Sequence, residues 1–178
     1  MSKFEKVSFE EFKRAWNSIE DKSDYVIDED LTDLQSIYDN IKLPKRATAK
    51  SAGYDFYAPL TFRIDSHLSA EKCVLIPTGI KVELNDDEFL MLLPRSGHGF
   101  KYGVELLNTA GIIDADYYEN IDNEGHIMAK FQTKDAFDGV TIKDGTAYMQ
   151  GIIIRYSTTD NDNADGERKG GLGSTGIG

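Results

Sequence analysis

The chain is 178 residues long, with 40% apolar and 29% charged side chains, which suits one soluble domain with a sizeable core plus an appendage. A net charge of −11 argues against non-specific binding to nucleic-acid polymers, which takes clustered cations, but leaves room for one nucleotide served by two or three local cations. The absence of a long apolar run, of a signal-peptide core after Met1 and of a second cysteine beside Cys73 points to an intracellular, cytoplasmic protein without membrane contacts or an intrachain disulfide.

Residues 1–40 read as an acidic helical extension. Ser8-Phe9-Glu10-Glu11 has the pattern of a capping box, and Phe9, Phe12, Trp16 and Ile19 follow at helical spacing. Thr32-Asp33-Leu34-Gln35 predicts a second helix start, ahead of Ile37, Tyr38 and Ile41. Eleven acids against five bases give this segment a net −6, more than half of the total, so it suits a packing appendage or a surface for a protein partner.

From residue 41 the apolar period shortens. Cys73–Pro77, Gly79–Leu84, Glu88–Leu93, His126–Phe131 and Tyr148–Ile154 are short apolar or alternating runs, separated by turns such as Asn85-Asp86-Asp87 and Lys143-Asp144-Gly145. Closely spaced strands with polar turns predict an all-β body over residues 41–159, of sandwich or jelly-roll type. Residues 160–178 read as a polar linker, Asp160 to Gly166, followed by a glycine-rich lid. His67, His98 and His126 show no metal-ligand spacing.

Five polar blocks interrupt this pattern without being required by strand packing. They are Ser51 to Ala58, Pro94-Arg95-Ser96-Gly97, Asn108 to Tyr117, Gly145 to Gln150, and the tail from Arg168. Each alone has a plain explanation: a strand-end turn for Arg95, Ser96 and Gly97, a solvated turn for Asp114, core packing for Tyr117, and a frayed terminus for the tail. The tail also suits an anion, because bare amides, hydroxyls and a guanidinium all match phosphate oxygens.

Taken in order, Ala52-Gly53-Tyr54-Asp55, Pro94 to Gly97, Gly111-Ile112-Ile113-Asp114-Ala115-Asp116-Tyr117, Gly145 to Gln150 and Gly170 to Gly176 resemble the five motifs of the homotrimeric dUTP pyrophosphatase (dUTPase) family. The resemblance runs over residues 41–178 and implies a jelly-roll-like dUTPase fold. It also implies hydrolysis of dUTP to dUMP and diphosphate, and a homotrimer whose active sites draw on all three chains. It assigns Asp114 as the base that activates water for attack on the α-phosphorus. Tyr117 becomes the ring beneath deoxyribose that leaves no room for a 2′-hydroxyl. Asn108, with the hairpin backbone at Gly111 and Ile113, becomes the uracil-reading group. Arg95, Ser96, Gly97 and Gln150 become phosphate contacts, and Asp55 holds Mg²⁺ through water. The resemblance makes Arg168, Leu172, Gly173, Ser174 and Thr175 the closing lid.

The chain departs from the family pattern at several places. Leu172 stands where the family usually has phenylalanine, and the tail arginine stands one position late, with Glu167 at its usual place. Tyr118-Glu119 replaces Arg-Gly, and Ala147 replaces a basic residue. Two other readings remain open at this point. A dCTP deaminase relative would share the fold, although the third block has the pyrophosphatase pattern. A dUTP-sensing regulatory protein would use the acidic extension to meet its partner.

Overall fold

The computed structural model describes residues 1–19, 33–65, 73–133, 139–166, 168 and 170. In chain order it forms β1 (Lys3–Lys6), α1 (Phe9–Asn17), α2 (Leu34–Asn40), β2 (Lys45–Arg46), β3 (Tyr54–Tyr57), β4 (Phe62–Ile64), β5 (Val74–Pro77) and β6 (Ile80–Glu83). There follow β7 (Glu88–Pro94), α3 (Ser96–Tyr102), β8 (Val104–Leu106), β9 (Gly111–Asp114), a 3₁₀ turn (Ala115–Tyr117), β10 (Met128–Thr133), β11 (Val140–Ile142) and β12 (Ala147–Arg155). The fold is mostly β, as expected.

The largest sheet has the order β2-β3-β12-β7-β9, and every pairing in it is antiparallel. A second sheet is ordered β5-β10-β8, and two-stranded ladders join β4 to β11 and β1 to β6. Along β7, inward-facing Leu90 and Leu92 are buried and alternate with half-buried neighbours, as a strand with one face on the core requires. Gly151 lets central β12 approach both neighbours. A Cβ there would stand 2.8 Å from Leu90 Cδ1 and 2.9 Å from Phe56 Cε2. Phe62 and Phe131 meet the Tyr148 ring at 5.4 Å each, tying the sheets into one apolar cluster.

The opening segment is not helical throughout. Lys3–Lys6 pairs with β6, Lys3 opposite Glu83 and Lys6 opposite Ile80. Its run Lys-Phe-Glu-Lys alternates too briefly to announce a strand; a neighbouring strand edge decides the matter. Val7, Phe12 and Trp16 then enter the same apolar cluster as the sheets. Burial stabilises each large apolar side chain by about 1.5–3 kcal/mol, so α1 is held by tertiary packing rather than by propensity. The Ser8 hydroxyl caps α1 by accepting from Glu11 N at 3.1 Å. In α2 the cap is Asp33, which accepts from Ser36 N at 3.1 Å; Thr32 lies outside the described residues.

One helix interrupts the β pattern after the second block. Ser96–Tyr102 contains Gly97 and Gly99, which oppose helix formation, so the sequence suggests a turn. Gly103, at φ 61°, closes it in the left-handed conformation.

Candidate active site

Three of the five blocks meet where β3, β12 and the end of β7 lie side by side. Gln150 on β12 stands opposite Leu93 on β7 and Asp55 on β3. Arg95, the next residue after β7, brings its Nε to 3.3 Å from Asp55 Oδ1. Gln150 Nε2 donates to Pro94 O at 3.4 Å, and a Cβ at Gly53 would stand 2.6 Å from Gln150 Oε1. The glycine of the first block thus makes space for the amide of the fourth.

Ser96 and Gly97 form the exposed first turn of α3, beside a recess of about 280 Å³ lined by Pro94, Arg95, Ser96, Gly99 and Phe100. Burial, and then the Arg95 charge, push the His98 imidazole below its ordinary range, so the recess does not gain a second cation from it near neutrality. Lys45 on β2 stands opposite Asp55, which puts a further cation in this row. Sequence reasoning gave Lys45 no role, although Lys45-Arg46 stands only four residues ahead of the first block.

The third block forms the turn after β8, then β9 and the 3₁₀ turn; β8 pairs with β10 and β9 with β7, so the block passes from one sheet to the other. Asn108 and Gly111 line a mostly apolar cavity of about 340 Å³ together with Leu92, Leu106, Met128 and Lys130. Along β9, Gly111 and Ile113 are buried while Ile112 and Asp114 face outward. Period-two alternation therefore presents the Asp114 carboxylate to solvent, at a recess of about 190 Å³ shared with Phe89, Ile112 and Tyr156. Tyr117, only 3% exposed, donates its hydroxyl to His126 O at 3.0 Å and accepts from Asn123 Nδ2 at 2.6 Å. Burial pushes its pKa above the ordinary value, keeping the phenol protonated.

Arg168 of the fifth block contacts the third. Its Nη2 lies 2.5 Å from Asp114 Oδ2 and its Nε 2.7 Å from Asp116 Oδ1, with the guanidinium 5.7 Å from the Tyr117 ring centre. The hydrogen bond to Asp116 is the main cause of its raised pKa. Asn120 Nδ2 donates to Gly170 O at 3.1 Å, holding the tail next to the same block. Asp116 was read only as part of the third motif and given no role of its own, and the signal for Asn120 is its place three residues after Tyr117. Leu172, Gly173, Ser174 and Thr175 lie outside the described residues.

The two clusters are far apart within one chain. Asp114 stands opposite Phe89, at the start of β7, whereas Arg95 follows its end. Six residues of strand separate them, about 20 Å at the usual rise. A carboxylate and phosphate-binding cations acting on one phosphoryl group must lie within a few ångströms of it. Among the described residues no three His, Cys, Asp or Glu side chains gather to hold a metal. One carboxylate beside a guanidinium suits a hydrated ion carried by a polyphosphate, not an ion caged by protein ligands.

Fold and clusters together define a mostly-β protein with an outward-facing carboxylate at the end of edge strand β9 and a separate row of cations and amides suited to anions. The dUTPase family model matches residues 39–176. The deoxyuridine 5′-triphosphate nucleotidohydrolase of Lactococcus lactis subsp. lactis is 38% identical over 139 residues, which cover 77% of this chain and 89% of that protein. The crystal structure of the Streptococcus mutans dUTPase superposes with a TM-score of 0.60 at 32% identity, covering 88% of this chain and 98% of the other. A dUTPase mutant from phage phi11 of S. aureus, described with a structural Mg(II) ion, shares the fold at a TM-score of 0.55 and 18% identity, covering 71% and 92%. This chain belongs to the dUTPase family.

Proposed function

We propose that the protein is a dUTP diphosphatase that hydrolyses dUTP to dUMP and diphosphate. One observation carries the reading: within a family-matched chain, β9 ends on an outward-facing carboxylate, Asp114, three residues before the buried Tyr117. In this reaction a water oxygen attacks the α-phosphorus, and the bond from that phosphorus to the bridging oxygen breaks. Diphosphate leaves with the bond's electron pair. Asp114 takes the water's proton as general base. Asn108 and the backbone of Gly111 and Ile113 read uracil, where a wrong base would leave buried polar groups unpaired. The Tyr117 ring excludes a 2′-hydroxyl.

Arg95, Ser96, Gly97 and Gln150 bind the phosphate chain and stabilise charge developing on the leaving group. Asp55 accepts hydrogen bonds from water around Mg²⁺, which supplies charge neutralisation on the phosphates when bound. Arg168 closes over the phosphates together with Leu172, Gly173, Ser174 and Thr175. The separation of about 20 Å along β7 supports sites assembled between chains, as in a homotrimer of jelly-roll subunits. The relatives give no support to dCTP deamination.

The test is diphosphate release from dUTP, UTP, dTTP and dCTP, with Asp114→Asn as control. Turnover of dUTP alone is expected, and severe loss in the variant. Equal rates on UTP would refute the role of Tyr117, and an unimpaired variant would refute the base.

A further inference from the structure

The loop from Tyr117 to His126 is irregular. Glu119, Glu124 and Gly125 take φ values of 55°, 56° and 78°, in the left-handed region that side chains other than glycine enter at a cost. Hydrogen bonds within the loop, such as Glu124 N to Asn120 O at 2.7 Å and Gly125 N to Asn123 Oδ1 at 3.1 Å, offset part of that cost. Lys81 of β6 pairs with Glu119 and lies 3.6 Å from Glu124, and further anchors come from the start of the chain. Tyr118 donates its hydroxyl to Glu5 Oε2 at 2.5 Å. Glu124 accepts from Ser8 N at 2.9 Å and from Ser8 Oγ at 2.5 Å. His126, fully buried, places Nδ1 3.0 Å from Glu11 Oε1 while its Nε2 accepts from Gly79 N at 2.8 Å. That second bond puts the ring hydrogen on Nδ1, so His126 donates to Glu11. Arg14 also engages the Glu11 carboxylate, at 2.7 Å.

The same histidine reaches the sugar gate, because its carbonyl accepts the Tyr117 hydroxyl. Glu11, His126 and Tyr117 therefore form a continuous hydrogen-bonded series from α1 to the ring. Excluding one hydroxyl from a sugar takes ring placement within a fraction of an ångström. The anchors Glu5, Ser8 and Glu11 all precede residue 39, where the family match begins. We propose that Glu11, acting through His126, is a positioning residue for Tyr117, and that β1 and α1 form a brace setting the preference for dUTP over UTP. This inference rests on the diphosphatase reading above.

The test uses the full chain and compares kcat/KM for dUTP and UTP in wild type, Glu11→Ala, Glu11→Gln and Tyr118→Phe. Glu11→Ala is expected to lower the dUTP/UTP ratio about tenfold, mostly through faster use of UTP, since removing a steric and polar discriminator costs about that much. Glu11→Gln retains an oxygen that accepts from His126 and should keep the ratio within about threefold of wild type. An unchanged ratio in Glu11→Ala, with only a lowered melting temperature, would overturn the proposal and leave Glu11 as a plain core group. Should Glu11→Ala fail to fold, Tyr118→Phe removes an anchor at the rim. It is expected to lower the ratio about threefold and to speed amide hydrogen exchange in residues 118–126, leaving β7 and β12 protected. No change in either readout would overturn the brace. Wild type that turns over no dUTP, or does not prefer it to UTP, would instead sink the functional reading, before any variant is compared.

Discussion

Co-assembly of two inactive variants tests directly whether one chain holds a whole site. Asp114 lies opposite Phe89, and Arg95 follows Pro94, which puts about 20 Å of β7 between the proposed base and the proposed phosphate contact. Two side chains of ordinary length cannot close that gap around one phosphorus. Asp114→Asn and Arg95→Ala should each fall below about 1% of wild-type turnover alone, the scale expected for loss of a general base or of a charge-stabilising contact. Co-expressed with different affinity tags and purified through both, they would yield mixed assemblies, which for the proposed homotrimer are mixed trimers. Around a three-membered ring containing both kinds of chain, one interface of the three joins an intact Asp114 to an intact Arg95. About one third of wild-type activity should therefore return, although no chain in the preparation is intact. Sites closed within single chains would recover nothing. Turnover no higher than the sum of the separate variants would refute the shared-site reasoning.

Four further outcomes follow from particular contacts. Asp114→Asn should cut turnover by about 10²–10⁴ while leaving the thermal midpoint nearly unchanged, because the side chain is exposed. Gly125→Ala should destabilise the fold by about 2–4 kcal/mol in denaturant titration, since φ is 78° and a Cβ would lie 2.5 Å from Tyr117 O. Burial pushes the Glu11 carboxyl up, but His126 and Arg14 outweigh it and hold it below the usual range, so its stabilisation is full above an unfolded value near 4.3 and is lost as pH falls through the folded value. The midpoint gap between wild type and Glu11→Gln should accordingly narrow as pH is lowered from about 6 to 3. A chelator should stop dUTP turnover without lowering the melting temperature, because no metal-holding group of side chains exists among the described residues.

The strands that carry the core were readable because burial on one face imposes a short period. Glu88–Leu93 and Tyr148–Ile154 became β7 and β12 almost residue for residue. β1, β8 and β11, of three or four residues each, carry too few alternations to be told from loops, and the partner strand decides them. α3 was hidden by its two glycines. The candidate site could be proposed as chemistry from its blocks, but its distances could not be read. Ordered blocks announced Asp55, Arg95, Asp114 and Gln150, yet only the register shows three of them converging and Asp114 at the other end of β7.

Glu11 shows most sharply what a local pattern leaves open. Ser8-Phe9-Glu10-Glu11 predicts two reciprocal bonds, and only the one from Glu11 N to the Ser8 hydroxyl forms. The return bond is displaced from outside, because Glu124 accepts from Ser8 N instead. That frees the Glu11 carboxylate to turn inward, where His126 and Arg14 satisfy it at 6% exposure. A carboxylate is buried at a net cost unless every lone pair it presents is engaged. Both partners are therefore required, and one lies 115 residues away. Helix spacing could announce the cap, but which carboxylate served it depended on how the Tyr117 loop closes against α1.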